Sequence, residues 1–361
     1  MSTSTQGLHR PESGTLLEVR DLKTHFVTDL GVVRAVDGVS ITVDRGRTLG
    51  VVGESGSGKT ILARSIMGLL PKRNVIRGGS VQFEGVELST MSLKNRRRIW
   101  GREMAMVFQD PMTSLNPVMK IGKQITESLR VHLNMPSSEA NATAEKLLND
   151  VGIPEAHRRL SEYPHQLSGG MRQRVTIAIA LACGPTMLFA DEPTTALDVT
   201  VQAQILDLLA DQQRDRNMSM ILVTHDLGVV AGRTDDIAVM YAGRIVERAP
   251  TRTLFAHMKM PYTEALVQSI PKLENPSHTK LEIIGGRPPD LINPPVGCKF
   301  SPRCPYARER CHVEEPPLVE AETPGHEYAC WFPVGSPEYL DTLAQRAAGS
   351  DDATSVVAGG G

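Results

Sequence analysis

Charge of one sign is the first thing missing: 39 Lys and Arg stand against 41 Asp and Glu over 361 residues, a formal net charge of -2. Without a broad electropositive field to gather a polyanion, general nucleic-acid binding is disfavoured. Long hydrophobic runs are also absent. The longest, residues 175–183 and 187–190, fall well short of the roughly 18 residues of a membrane-spanning helix, so the chain is not expected to cross a bilayer by itself. Residues 1–14 have neither a basic n-region nor an apolar h-region, which argues against a secretory signal and for the cytoplasm. Cysteine is scarce, five in all. In a reducing compartment these are not expected to form structural disulfides, and four of them crowd into residues 298–330, which points to metal ligation or to coincidence. No internal repeat is found. What is present is 40% hydrophobic residues, enough apolar material for two or three packed units and too much for a chain disordered throughout.

Residues 16–27 and 31–43 alternate apolar and polar around Asp29 and Gly31, which predicts two half-buried strands joined by a turn and an antiparallel β-region at the start. Residues 48–52 form a short apolar strand that enters a glycine-rich loop, and residues 61–70 have the composition of a buried helix stopped by Pro71. Residues 104–108 read as another buried strand. From about 120 to 182 the strand signals vanish, and helical periodicity appears over 121–131, 140–151 and 172–182. A helical insert over about 112–182 is therefore expected. The short apolar strands 187–190 and 220–223 flank a helix-like stretch at 201–214, the pattern of a parallel α/β sheet. Regular order ends near Pro250, residues 271–333 are rich in Pro and Gly, and residues 335–361 read as a mobile tail of Ser, Asp, Ala and Gly. The expected division is a core over 15–250, an extension over 251–333 and a tail over 334–361.

The glycine-rich loop is Gly53-Glu54-Ser55-Gly56-Ser57-Gly58-Lys59-Thr60, which fits G-x-x-x-x-G-K-[ST] and stands between a buried strand and a helix, as a phosphate loop must. Its glycines let the backbone curl until successive N–H groups face one point. The helix N-terminus adds partial positive charge, Lys59 neutralises phosphate oxygens, and the Thr60 hydroxyl can ligate Mg²⁺. The expected ligand is a nucleoside triphosphate. Further along, the apolar strand 187–190 delivers Asp191 and Glu192 at its C-terminal end, where open α/β sheets bind ligands. Asp191 suits a Mg²⁺ shell, and Glu192 can accept a hydrogen bond from an attacking water. An acidic pair after a strand can also be a solvated helix start, and only the phosphate loop makes it a strong signal.

Leu167-Ser168-Gly169-Gly170-Met171-Arg172-Gln173 precedes a predicted helix. Alone it reads as an N-cap that offers a second anion site; beside the phosphate loop it resembles the signature motif of ATP-binding cassette (ABC) proteins. The resemblance covers roughly residues 16–250 and implies an α/β P-loop NTPase core with an antiparallel β-subdomain and a helical subdomain. It also implies roles for further residues. Gln109 resembles the Q-loop glutamine that contacts Mg²⁺, Ala196-Leu197-Asp198 the D-loop, and His225 the switch histidine that senses the γ-phosphate. Phe26 matches the adenine-stacking aromatic, often Tyr in the family, so stacking without a hydroxyl remains. In this family two cassettes pair head to tail, so Ser168, Gly169 and Gly170 would act on the partner's ATP. The implied chemistry is hydrolysis of the β-γ phosphoanhydride, with Glu192 polarising water and His225 positioning it.

The absence of fused membrane helices leaves a separate ATPase subunit. Gln109-Asp110-Pro111-Met112-Thr113-Ser114-Leu115-Asn116-Pro117 resembles the segment after the Q-loop in the oligopeptide, dipeptide and nickel branch of importers. Residues 261–266 and 297–305 resemble that branch's C-terminal extension, taking the likeness to Pro333. The resemblance implies ATP and Mg²⁺ as cofactors, and as partners a second ATPase (often a different chain in this branch, with a homodimer also open), two permease subunits and an extracytoplasmic solute-binding protein, with no nucleic acid. It places the chain on the cytoplasmic face of the cell membrane, held by the permeases. Peptide is the expected cargo, with nickel, glutathione-like compounds and oligosaccharides as alternatives. A soluble ABC ATPase of translation or DNA maintenance is the rival, against which stand one phosphate loop, one signature and no sustained heptads. Cys298, Cys304, Cys311 and Cys330 match neither zinc-finger pairs nor ferredoxin runs. Some members of the branch carry a [4Fe-4S] cluster in this extension, so the resemblance favours a cluster, with zinc and unliganded thiols left open. Cys183 stands apart and reads as a small buried apolar residue.

Overall fold

A computed structural model describes residues 14–195, 197–270 and 284–355. The chain divides into two compact units, one drawn from residues 1–20, 40–48 and 80–220, the other from 21–39, 49–79 and 221–361.

The predicted opening strands run Thr15–Thr28 and Gly31–Asp44, and Leu17, Val19, Val36, Val39 and Ile41 from their buried positions are almost fully enclosed. A hairpin joins Val75–Phe83 to Val86–Glu87, with Gln82 opposite Glu87, through Glu84 and Gly85. Both turn residues have positive φ, 51° and 76°, the geometry that lets a two-residue turn follow the strand twist.

Met104–Val107 and Met187–Asp191 lie side by side in parallel, Met104 opposite Met187 and Val107 opposite Ala190. Both are nearly continuous apolar runs because parallel strands are covered on both faces. Around them the predicted helical insert appears as Ile121–Leu133, Ser137–Asp150 and Gly169–Leu181. Ile121, Ile125 and Leu129 form one buried stripe, and Ala140, Ala144 and Leu148 another, at the four-residue spacing of a helix face. The second and third helices start three residues before the apolar period suggests. Local capping residues, not buried ones, mark those starts: Pro136 precedes the second helix, and at the third Ser168 accepts a hydrogen bond from the Met171 N–H.

In the second unit Val319–Glu320, Glu327–Tyr328, Arg244–Pro250, Asp236–Tyr241 and Thr48–Val52 follow one another in one sheet. Neighbours are antiparallel except the last pair, in which Val51 lies opposite Ala238 in a parallel ladder. Order does not stop at Pro250: the helices Thr251–His257 and Pro261–Gln268 follow. The fully buried Glu247 carboxylate ties this junction together. It accepts hydrogen bonds from the Lys259 and Met260 N–H groups at 2.6 and 3.1 Å and pairs with the His326 ring at 2.8 Å.

The tail expected from residue 335 is corrected in part, since Pro337–Ser355 is a helix. Its anchor is Tyr339, only 4% exposed, whose hydroxyl bonds the Glu264 carboxylate at 2.8 Å and the Tyr306 hydroxyl at 3.2 Å. One aromatic with a satisfied hydroxyl can dock a helix whose composition is otherwise polar. No helix among the described residues is long and apolar enough to cross a membrane.

Candidate functional site

The sequence-predicted residues are distributed over both units. In the second, the strand Thr48–Val52 ends at the phosphate loop and the helix Lys59–Met67 begins at its far side. Two of its glycines are required by space. A Cβ on Gly53 would lie 2.1 Å from the Met240 carbonyl oxygen; one on Gly58, where φ is 106°, would lie 2.1 Å from the Ala35 carbonyl oxygen. The loop is thus wedged against the neighbouring backbone and any side chain there would open it.

Lys59 is 4% exposed, and its ammonium donates to the Gly53 and Glu54 carbonyl oxygens at 2.8 and 3.0 Å, closing the loop's curl. Ser57 Oγ is buried without a hydrogen-bond partner, a polar atom in the loop for which a phosphate oxygen or a hydrated cation is the chemically suited mate. Ser55 and Gly56 are exposed at the loop's tip, and Thr60 is half-buried in the first helical turn. Phe26 is half-buried on Thr15–Thr28, and His225 is exposed directly after Ser219–Thr224.

In the first unit, Asp191 ends Met187–Asp191 and is fully buried. Glu192 follows with φ of 43°, in the left-handed region that turns the chain away from the strand. Its Oε2 accepts hydrogen bonds from Gln109 Nε2 and Thr195 Oγ1, each at 3.0 Å. The strand register explains the first bond. Val107 lies opposite Ala190, so Gln109 and Glu192, each two residues further on, emerge side by side. The sequence reading linked Gln109 to Mg²⁺ and missed this bond, because no local pattern in either segment reports their pairing.

Ser168 and Gly169 are exposed at the start of Gly169–Leu181, and a Cβ on Gly170 would come within 2.8 Å of Val201 Cγ1. Asp198 caps the helix Val199–Asp215 by accepting from the Val201 N–H at 2.9 Å. Ala196 lies outside the described residues, as do residues 271–283 of the extension.

Among the described residues no three His, Cys, Asp or Glu side chains are grouped as ligands of one metal ion. The four clustered cysteines, all reduced, nonetheless line one small cleft with Pro261, Phe300 and Trp331. Burial pushes the Cys298 and Cys304 thiols up to about 11 and about 12, and Cys330 higher still, each against a softening N–H bond from Phe300, Tyr306 or Phe332. Free in solution at neutral pH, such thiols stay protonated and unreactive. Cys183 is half-buried, with its thiol directed at the Ser128 carbonyl oxygen and its pKa raised by burial.

A glycine loop wedged between strand and helix, and a buried carboxylate followed by a constrained one at the end of a parallel strand, are the parts of a P-loop nucleoside triphosphatase. Comparison narrows that class. Residues 36–195 match the family described as ABC transporter, and residues 246–311 match the oligopeptide/dipeptide transporter C-terminal region. The oligopeptide transport ATP-binding protein OppD of Salmonella typhimurium is 47% identical over 335 residues, covering 92% of this chain and 99% of the relative. The oligopeptide transport ATP-binding protein AppD of Bacillus subtilis is 49% identical over 319 residues, covering 88% and 97%. Among solved structures, a dimeric ATP-binding cassette in a post-hydrolysis state bound to ADP and Pi superposes with a TM-score of 0.60 at 25% identity, covering 66% of this chain and 99% of that one. The chain belongs to the ATP-binding proteins of ABC transporters, in the branch that carries the oligopeptide/dipeptide transporter C-terminal region.

Proposed function

We propose that this chain hydrolyses ATP to drive peptide uptake through membrane permeases to which it binds on their cytoplasmic face. Lys59 and the loop N–H groups hold the triphosphate, Phe26 stacks on the base, and Glu192 takes a proton from the attacking water while His225 orients it toward the γ-phosphate. The hard oxygen donors Thr60, Gln109 and Asp191 suit Mg²⁺, which when bound neutralises charge on the β- and γ-phosphates. Ser168 and Gly169, exposed at a helix N-terminus, and the half-buried Gly170 complete the site of a second cassette, with the exposed Asp198 as the D-loop residue.

The observation that carries this reading is Glu192, placed at the end of the strand Met187–Asp191 and held at Oε2 by Gln109 and Thr195. A carboxylate held in place at the C-terminal end of a parallel strand, directly after a buried Asp191, is suited to accept a proton from a water attacking a phosphate bound there. The test is loss and restoration of uptake: cells lacking the chain should fail to accumulate labelled oligopeptides, and the natural chain should restore accumulation and co-purify with permease subunits. Restored uptake of nickel or an oligosaccharide instead would move the cargo; ribosomes or DNA co-purifying in place of permeases would end the transporter reading.

A second reading concerns the extension. Cys298, Cys304, Cys311 and Cys330 line one small cleft, and soft thiolates of this kind suit a [4Fe-4S] cluster, which the resemblance to the branch favours, or a zinc ion, with unliganded thiols as the alternative. Such a cluster would staple the extension and allow one-electron chemistry there; Cys298, Cys304, Cys311 and Cys330 would hold it. Protein purified without oxygen is expected to be brown and to contain iron and acid-labile sulfide in equal amounts. Colourless, iron-free protein would remove the cluster.

A further inference from the structure

Glu54 places a carboxylate in the second position of a loop whose other groups attract phosphate. The structure supplies its counterweight from the C-terminal extension. Arg303 Nη1 donates to Glu54 Oε2 at 2.6 Å and Arg303 Nη2 to Glu54 Oε1 at 2.9 Å, a two-pronged ion pair whose arginine side chain is 4% exposed. Arg303 is itself fixed. Its remaining donors reach the Gly285 and Ile284 carbonyl oxygens at 2.8 and 3.2 Å, and its guanidinium stands 5.9 Å from the centre of the Tyr241 ring.

The turn that presents Arg303 is tight, with the Ser301 N–H donating to the Cys298 carbonyl at 2.9 Å and the Arg303 N–H to the Phe300 carbonyl at 2.9 Å. Phe300 of that turn packs edge-on against Tyr241 at 5.3 Å, and Tyr262 completes the buried aromatic trio. Tyr262 reaches the same loop residue by a second route, its hydroxyl oxygen accepting from the Glu54 N–H at 2.9 Å. The Glu54 carboxylate, the one group of this residue that would repel a phosphate, is thus held by the extension, and its backbone is fixed by Tyr262 from the same segment.

We infer that Arg303 is a positioning residue for nucleotide binding: by neutralising and turning aside the Glu54 carboxylate it allows the phosphate loop to accept a triphosphate. This rests on the reading that the loop binds ATP, and it makes the extension part of the nucleotide site and not only an appendage to the cassette. Two carboxylate oxygens in a planar fork require arginine; lysine offers one point charge and no second prong.

Titration of the full-length chain with Mg·ATP tests the inference. Arg303→Gln should weaken ATP about tenfold while kcat at saturation changes less than about twofold, the split expected when ground-state binding alone is lost. Adding Glu54→Gln to that variant should restore affinity to within about threefold, because the uncompensated charge is then gone. Arg303→Lys should fall between, at about a threefold loss, and it carries the test with and without Glu54→Gln should Arg303→Gln not fold. Arg287→Gln, an exposed cation of the same extension, is the control and should bind like the natural protein. The proposal is overturned if Arg303→Gln binds ATP normally, or if the double variant is as weak as the single one, which is what a merely structural contact would give. Natural protein that bound no ATP at all would overturn the inference together with the reading beneath it, and the first titration separates the two failures.

Discussion

Glu192→Gln is expected to bind ATP within about threefold of the natural protein and to lose about a thousandfold in turnover, the scale of a missing general base. The amide keeps an oxygen that can accept from Gln109 Nε2 and Thr195 Oγ1, so the two bonds that hold the side chain survive the substitution. What disappears is a basic oxygen for the water's proton. Binding and steady-state hydrolysis measured on the same preparation check this, and turnover within tenfold of the natural rate would remove Glu192 from the catalytic role.

Lys59→Ala should fail one step earlier. Its ammonium is buried and is the cation that closes the loop onto the Gly53 and Glu54 carbonyls. Removing it leaves those oxygens without their donor and leaves the triphosphate charge without its nearest counter-ion. A loss of about 3 kcal/mol, or roughly a hundredfold in Kd, is expected from a charge-assisted contact in a sheltered site. Calorimetric titration with Mg·ATP reads this directly, and an unchanged Kd would contradict the assignment. The two variants are therefore separable: one keeps affinity and loses rate, the other loses affinity first.

Much of the nucleotide machinery could be read from the chain because each part announces itself over a few neighbouring residues. The phosphate loop is contiguous, its strand and helix flank it directly, and Asp191 and Glu192 follow their strand without interruption. The signature turn is likewise local, and Ser168 is the N-cap that its spacing suggests. Helix starts were less legible, since Ser137–Asp150 begins ahead of its first buried residue and a polar first turn leaves no apolar period to detect. The helix Pro337–Ser355 was hidden for a related reason: one buried aromatic, Tyr339, and hydrogen bonds from the distant Arg308 hold it, and neither makes a pattern along the chain.

The amino-acid order by itself determined the cassette, its loop, its carboxylates and the branch of transporters to which the chain is allied. Only the tertiary structure decided what those groups lean on. Gln109 meets Glu192 across 83 positions, Glu247 meets His326 across 79, and Arg303 reaches Glu54 across 249. Periodicity and motif spacing report what a residue does with its near neighbours along the chain. A salt bridge between distant residues depends on where the sheet register and the buried aromatics bring two segments together, and that is a property of packing with no trace in either segment alone.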